Sequence, residues 1–116
     1  MAATAITVTK LAFNEPKKLE SFATVSASDG ALIPMGADQK MLIMASNTGS
    51  SAKEITIVAG DTYQATEDVK FSVPASSEAA FVVESGRFLI TKGTDAGKIC
   101  VKGASTDIAV RAIELP

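Results

Sequence analysis

The chain has 116 residues, a formal net charge of -2, no His, no Trp and one Cys. This length allows one domain of ordinary size and excludes an enzyme with separate cofactor and substrate domains. The missing His and the single Cys exclude a zinc cluster, an internal disulfide and an imidazole base, and the interspersed charges exclude a basic stripe for nucleic acid.

The chain shows no signal for secretion or for crossing a membrane. Its start, Met1 to Lys10, lacks the positively charged stretch and apolar run of a secretory signal. The longest apolar run, Met41 to Ala45, has the length of a strand, whereas a membrane span needs roughly 20 residues. We therefore expect a protein made in the cytoplasm, with no membrane partner.

Most segments alternate apolar and polar residues, the period typical of β-strands, and none sustains a helical stripe. In chain order, alternating strands are predicted at Ala5 to Thr9, Lys53 to Val58, Asp68 to Val73 and Thr106 to Ile113. Three nearly continuous apolar runs, Met41 to Ala45, Ala79 to Glu84 and Arg87 to Thr91, are predicted to be central strands or strands covered on both faces. Ser21 to Val25 also alternates and is a further candidate strand. Phe71 and Phe81 are predicted to face the core.

Turn-forming residues separate these segments at intervals typical of an all-β domain. Asn47 to Ser51 predicts a hairpin loop, Ser85 and Gly86 predict a tight turn or a bulge, and Lys92 to Gly97 predicts a hairpin tip. The segment from about residue 14 to about residue 39 is the least regular.

Short strands in such number must pack as two sheets, because a single sheet would leave one apolar face in water. The sequence therefore predicts an all-β fold, a single compact antiparallel β-sandwich over residues 1–116 with a short N-terminal arm of about residues 1–5. A jelly roll is favoured, because the Cys, Trp and Cys of an immunoglobulin domain are absent. An immunoglobulin-like sandwich is the alternative.

The residues that could carry chemistry form no catalytic pattern. Asp61, Glu67 and Asp68 lie close together in the sequence without the spacing of a calcium loop, which predicts solvated turn carboxylates. Cys100 alternates with Ile99 and Val101, which predicts a half-buried structural thiol. We expect no enzymatic activity, no cofactor and no metal site.

The composition favours a contact surface, because the chain has 19 Ala and 22 Ser plus Thr. Small residues let backbones approach closely with little loss of side-chain entropy. The N-terminal arm and the irregular segment are candidate contact segments, since an extended arm can add a strand to a neighbouring sheet. The candidate partner-binding residues are Ala2, Ala3, Thr4, Lys17, Lys18 and the loop aromatic Tyr63.

Four stretches of this sequence resemble small virion proteins of tailed bacteriophages: Lys40 to Gly49, Lys53 to Asp61, Phe81 to Phe88 and Ile108 to Pro116. In those proteins a strand ending in an Asn-containing turn leads to a Val-Thr-Val-Ala-Gly strand, and an Arg-Phe pair follows a further strand. The resemblance covers about residues 38 to 116.

The resemblance implies a β-sandwich that binds the outside of a capsid as a decoration or cement protein, or that serves as a small head or tail component. It implies the major capsid protein or another virion protein as partner, a place on the virion surface, and self-association as a trimer or another ring. A carbohydrate- or host-surface-binding sandwich is the second hypothesis, and a hydrolase that uses carboxylates alone is the third.

Overall fold

The computed structural model describes residues 3–26, 28–36, 40–63 and 67–116. Their elements are β1 (Thr4–Ala5), β2 (Val8–Lys10), β3 (Ala23–Thr24), β4 (Ala31–Pro34), β5 (Met41–Asn47), β6 (Lys53–Ile57), β7 (Val69–Val73), β8 (Ser77–Val83), α1 (Ser85–Phe88), β9 (Lys98–Gly103) and β10 (Ile108–Glu114). Sheet I has the order β1-β4-β9-β6-β7, and sheet II has the order β2-β10-β5-β8, with β3 also paired to β10.

The eight strands from β3 to β10 form a jelly roll. The order β4-β9-β6-β7 in sheet I and the order β3-β10-β5-β8 in sheet II are antiparallel throughout. The chain changes sheet at every connection in this part except the one between β6 and β7, which gives two interlocked Greek keys. The predicted all-β sandwich is confirmed, with jelly-roll rather than immunoglobulin-like connectivity.

The first two strands join the jelly roll as parallel neighbours, β1 beside β4 and β2 beside β10. The sequence predicted one strand from Ala5 to Thr9, which is wrong because the chain passes from one sheet to the other there. Ile6 lies between the two strands, only 5% exposed, and its N–H donates to the Leu32 carbonyl at 3.0 Å. Alternation alone cannot show such a change of sheet, because Ile6 is buried in either arrangement.

Three other local predictions are wrong. Ala79 to Glu84, predicted as a central or doubly covered strand, corresponds to β8, the edge strand of sheet II, whose outer face is exposed. Asn47 to Ser51 is a crossing between the sheets rather than a hairpin, since β5 pairs with β8 and β10 while β6 pairs with β7 and β9. The segment predicted as a strand from Arg87 to Thr91 is not one. It holds the end of the single helical turn α1 (Ser85–Phe88) and an isolated bridge at Ile90. Of its apolar residues Phe88 lies in the core, and Leu89 and Ile90 are half-buried. A short apolar run does not distinguish such a turn from a strand.

The irregular segment contains two strands. One is β3, inside the candidate strand Ser21 to Val25, and the other is β4, which was not predicted because Gly30 precedes it and Pro34 ends it. Pro34 occupies the last position of β4, where its register partner is Lys98 at the start of β9.

One core joins the two sheets. Its buried residues are Ile6, Val25, Ala31, Ile33, Met41, Ile43, Ala45, Ile55, Ile57, Val73, Val83, Phe88, Ile99, Val101, Ile108, Val110 and Ala112. Phe71 and Phe81 face this core as predicted, and their rings meet edge to face with centroids 5.3 Å apart. The radius of gyration is 13.6 Å, close to the roughly 13 Å of a folded domain of this length.

Candidate functional site

Several connections and the C-terminus gather at one end of the sandwich, which we call the loop end. The described residues of these connections are 11–22, 35–36, 40, 58–63, 67–68 and 84–97, in the segments that follow β2, β4, β6 and β8. The register brings them together, because Glu114 at the end of β10 pairs with Met41 at the start of β5, and Met41 pairs with Val83 at the end of β8. The opposite end carries shorter connections.

The exposed large hydrophobic side chains of the described residues lie in or beside the loop end. They are Tyr63 at 97% exposure, Phe13 at 79%, Val82 at 55%, Leu115 at 37% and Leu19 at 36%. Single exposed apolar residues are ordinary, but their concentration at one end of a small domain marks an interaction surface.

The loop that presents Tyr63 is fixed to the connection after β8. The N–H of Gly60 donates to the Arg87 carbonyl at 2.8 Å, and the Thr62 hydroxyl donates to the Gly86 carbonyl. An aromatic ring on a loop that is already ordered loses little backbone entropy when it binds. Tyr63, which the sequence singled out, is therefore a suitable anchor, and exposed anchors of this kind often dominate interface energetics.

Asp61 fixes the same loop from a second direction. Its carboxylate accepts from the Thr91 hydroxyl at 2.6 Å, the Thr91 N–H at 2.8 Å and the Lys92 N–H at 3.1 Å. The hydrogen bond from the Thr91 side chain, followed by the one from its backbone, lowers the pKa of Asp61. The carboxylate is solvated, as predicted, but it also holds two connections of the loop end together.

Phe13 is the partner-facing candidate that the sequence did not reveal. It stands in a tight turn closed by an antiparallel bridge between Ala12 and Glu15, and Asn14 in that turn has a φ of +59°. An Asn two residues before Pro16 is a turn signal, which could have placed Phe13 in a turn. The exposure of its side chain has no signal in the sequence.

The predicted arm is built into the sandwich from Thr4 onward. The Thr4 N–H donates to the Gly30 carbonyl at 2.9 Å, and the Thr4 hydroxyl donates to the Thr24 carbonyl at 3.0 Å. Ala3 is half-buried, and Ala2 lies outside the described residues. Thr4 is therefore not available as a free arm, because its backbone and hydroxyl already bind within the chain.

The two lysines predicted as contacts lie in the connection after β2. Lys17 forms an ion pair with Glu15, with Nζ 3.0 Å from Oε1, and Lys18 is exposed. Farther along this connection Phe22 stacks on Arg111, whose guanidinium carbon is 4.2 Å from the ring centroid. The stacking holds the connection against the outer face of sheet II, so both lysines project from an anchored segment.

A depression of about 560 Å³ lies on the outer face of sheet I. Its lining residues are Ala3, Ser28, Asp29, Leu32, Val58, Ile90, Asp95, Cys100 and Lys102. Burial raises the pKa of the Cys100 thiol, which keeps it protonated and poorly nucleophilic at neutral pH. Among the described residues no three Cys, Asp or Glu side chains are grouped to hold a metal ion.

A second depression, of about 420 Å³, adjoins the end of β8 at the loop end. It is lined by Val82, Val83, Glu84, Arg87 and Phe88. The guanidinium carbon of Arg87 lies 5.0 Å from the Phe88 ring centroid, so the lining of this depression includes both apolar side chains and a cation. This depression gives the loop end a concave place beside its exposed side chains.

Comparison with known proteins identifies no relative of this chain. No protein-family model matches the sequence, and neither a curated protein nor a solved structure matches it significantly. No helix in the described part of the chain is long and apolar enough to cross a membrane.

Proposed function

We propose that this protein is a non-enzymatic structural protein of a tailed-phage virion, which binds the outside of the capsid and stabilises the junctions between capsomers. Its partner is the major capsid protein or another virion protein, and it associates with itself in a closed ring, trimeric or otherwise. It binds no nucleic acid directly.

The observation that carries this proposal is the presentation of Phe13 and Tyr63 at the loop end. Both aromatic side chains are more than three-quarters exposed, at 79% and 97%, and both stand on hydrogen-bonded turns. Such preformed apolar anchors suit docking onto a large, ordered surface. The choice of a virion as that surface rests on the resemblance of residues 38 to 116 to phage virion proteins.

The proposed role has a simple physical basis. A capsid under internal pressure opens at capsomer junctions, and a small protein bridging a junction adds buried area that must be lost before it opens. Apolar area contributes roughly 25 cal/mol per Å², so a weak contact repeated over many sites adds a large total.

The test uses shells of the encoding phage prepared without this protein. Purified protein should bind these shells and raise the temperature at which they release DNA, and a Phe13→Ser, Tyr63→Ser double variant should bind at least about tenfold more weakly. The matched control changes exposed residues at the opposite end, Ser50→Ala and Thr106→Ala, and should bind normally. Absence of binding to shells, tails and their precursors would exclude the proposal.

A position at the head–tail junction or in the tail fits the same anchors. Electron microscopy of labelled virions distinguishes these positions, because a decoration protein covers the whole head whereas a junction component labels one vertex.

A glycan-binding module is the second candidate, favoured by the fully exposed ring of Tyr63, since sugar rings stack on flat aromatic faces. The nearby Asp61 is already engaged by Thr91 and Lys92, which leaves it less able to hold sugar hydroxyls. A specific hit on a glycan array that disappears in Tyr63→Ala would favour this function over capsid binding.

A further inference from the structure

The free edge of β8 is the longest exposed strand edge in the described part of the chain. β8 is the last strand of sheet II, and its seven residues pair with β5 on one side only. Its three outward residues, Glu78, Ala80 and Val82, are all exposed. A strand edge of this length presents unpaired backbone donors and acceptors to any extended partner.

The other sheet edges carry features that discourage pairing. β1 and β3 have two residues each and β2 has three, too few for a stable ladder, and β7 has five with Lys70 pointing outward. Short length and an outward Lys are the usual means by which proteins block edge pairing. In contrast, β8 has no Lys, no Pro and a single charge, Glu78.

In one antiparallel register, two copies of β8 meet without like charges opposite each other. With Ala80 opposite its own counterpart, Glu78 faces Val82 of the second copy, and Phe81 faces Ala79. Phe81 is only partly buried, and the small Ala79 leaves room beside its ring. The two Glu78 carboxylates then lie about 14 Å apart along the strands, beyond the screening length of about 8 Å at physiological salt.

We propose that two copies of this chain pair antiparallel through β8, with Ala80 on the twofold axis, so that the two copies of sheet II form one continuous sheet. The second copy covers Val82 and the exposed part of Phe81. Each strand supplies the backbone partners that the other lacks. A twofold pair is the smallest closed ring, so the contact makes the proposed self-association specific.

Purified protein alone tests this pairing, without any capsid. Sedimentation equilibrium should give twice the chain mass of 11.9 kDa. Failure of capsid binding would leave this result unchanged, and failure of pairing would leave capsid binding open. If the protein stayed monomeric at concentrations up to about 100 µM, its self-association would be weaker than that of ordinary specific pairs, and the pairing would be overturned.

Disulfide trapping tests the register. In a Cys100→Ser background, Ala80→Cys should crosslink to its counterpart on mild oxidation, since directly opposite Cα atoms lie about 4.5 to 5.5 Å apart and disulfides span about 4.4 to 6.8 Å. The matched control Glu78→Cys lies on the same face of the same strand but about 14 Å from its counterpart, and should not crosslink. Equal crosslinking of both variants would overturn the register.

Charged substitutions at Ala80, used in pairs of opposite sign, test whether this residue lies on the twofold axis. Ala80→Lys and Ala80→Glu should each weaken pairing at least about tenfold, because like charges then face each other directly. Mixing the two variants should restore a heterodimer, which also shows that both are folded. Variants that pair as well as the parent protein, or a mixture that stays monomeric, would contradict the proposal. So would open-ended oligomers.

Discussion

The side-chain amide of Asn47, at the end of β5, donates to the main-chain carbonyl of Val73, at the end of β7, over 3.0 Å. The bond connects sheet II to sheet I. The same nitrogen lies 2.9 Å from the Ser51 carbonyl and 3.3 Å from the Pro74 carbonyl, and the Asn47 Oδ1 accepts from the Gly49 N–H at 2.9 Å. Asn47 is only 1% exposed and is the one buried polar side chain among the described residues.

Replacing Asn47 by Ala should destabilise the fold by about 2 to 4 kcal/mol, because it removes the buried hydrogen bond to Val73 and the part-buried ones at Ser51, Pro74 and Gly49. Urea unfolding followed by circular dichroism measures this loss. Ser51→Ala is the matched control, since Asn47 binds the main chain of Ser51 and not its exposed hydroxyl. A loss of less than about 1 kcal/mol for Asn47→Ala would show that the bonds across the sheets contribute little.

Asn47 also shows which parts of the fold the sequence could predict. Alternation identified β6, β7 and β10, and nearly continuous apolar runs identified β5 and β8, because each of these strands has one face in a dry core. Neither pattern could show that Asn47 to Ser51 joins different sheets, since a hairpin and a crossing both need a polar turn. The pairing of strands is set by contacts between residues far apart in the chain, such as Asn47 with Val73.

The candidate site was predictable where exposure follows from local sequence and not where it follows from packing. Tyr63 beside Asp61 in a polar loop is an example of the first kind. Thr4 is an example of the second, because its N–H and hydroxyl bind Gly30 and Thr24, which are distant in the sequence. The anchoring of Tyr63 by the connection after β8 likewise depends on the fold.

The lowered pKa of Asp61 predicts how acid affects the loop end. A carboxylate whose pKa is lowered in the folded state contributes stability that is complete above its ordinary pKa and is lost as the pH falls through the lowered value. The unfolding free energy should therefore fall less steeply between about pH 5 and about pH 2 in Asp61→Asn than in the parent protein. Denaturant titrations across this range measure the two slopes.

Glu54→Gln is the control for Asp61→Asn, because Glu54 is an exposed carboxylate on β6, distant from the loop end. If Asp61→Asn and Glu54→Gln gave the same slope, the bonds from Thr91 and Lys92 would not stabilise the ionised carboxylate.

Gly30 and Gly93 have nearly equal φ but different surroundings, so replacing each by Ala distinguishes the cost of backbone strain from the cost of a steric clash. Gly30 has a φ of +78° and Gly93 a φ of +80°, but a Cβ on Gly30 would lie 2.6 Å from the Val101 carbonyl oxygen, while one on Gly93 meets nothing within 4 Å. Gly93→Ala should cost about 1 kcal/mol for the left-handed backbone alone, and Gly30→Ala about 2 to 4 kcal/mol. Thermal and urea unfolding measure both, and equal losses would contradict the close approach of β9 to Gly30.

The Cys100 thiol should react slowly with thiol reagents, because burial raises its pKa and thereby lowers its thiolate fraction. The comparison is an exposed thiol in the same fold, Glu54→Cys in a Cys100→Ser background. Ellman's reagent should modify Cys100 more slowly at neutral pH, and the midpoint of its rate against pH should lie above that of the control. Unfolding in urea should abolish the difference, since both thiols are then solvated. Equal rates in the folded state would mean that the depression on sheet I leaves the thiol open to solvent, and would reopen a reactive role for Cys100.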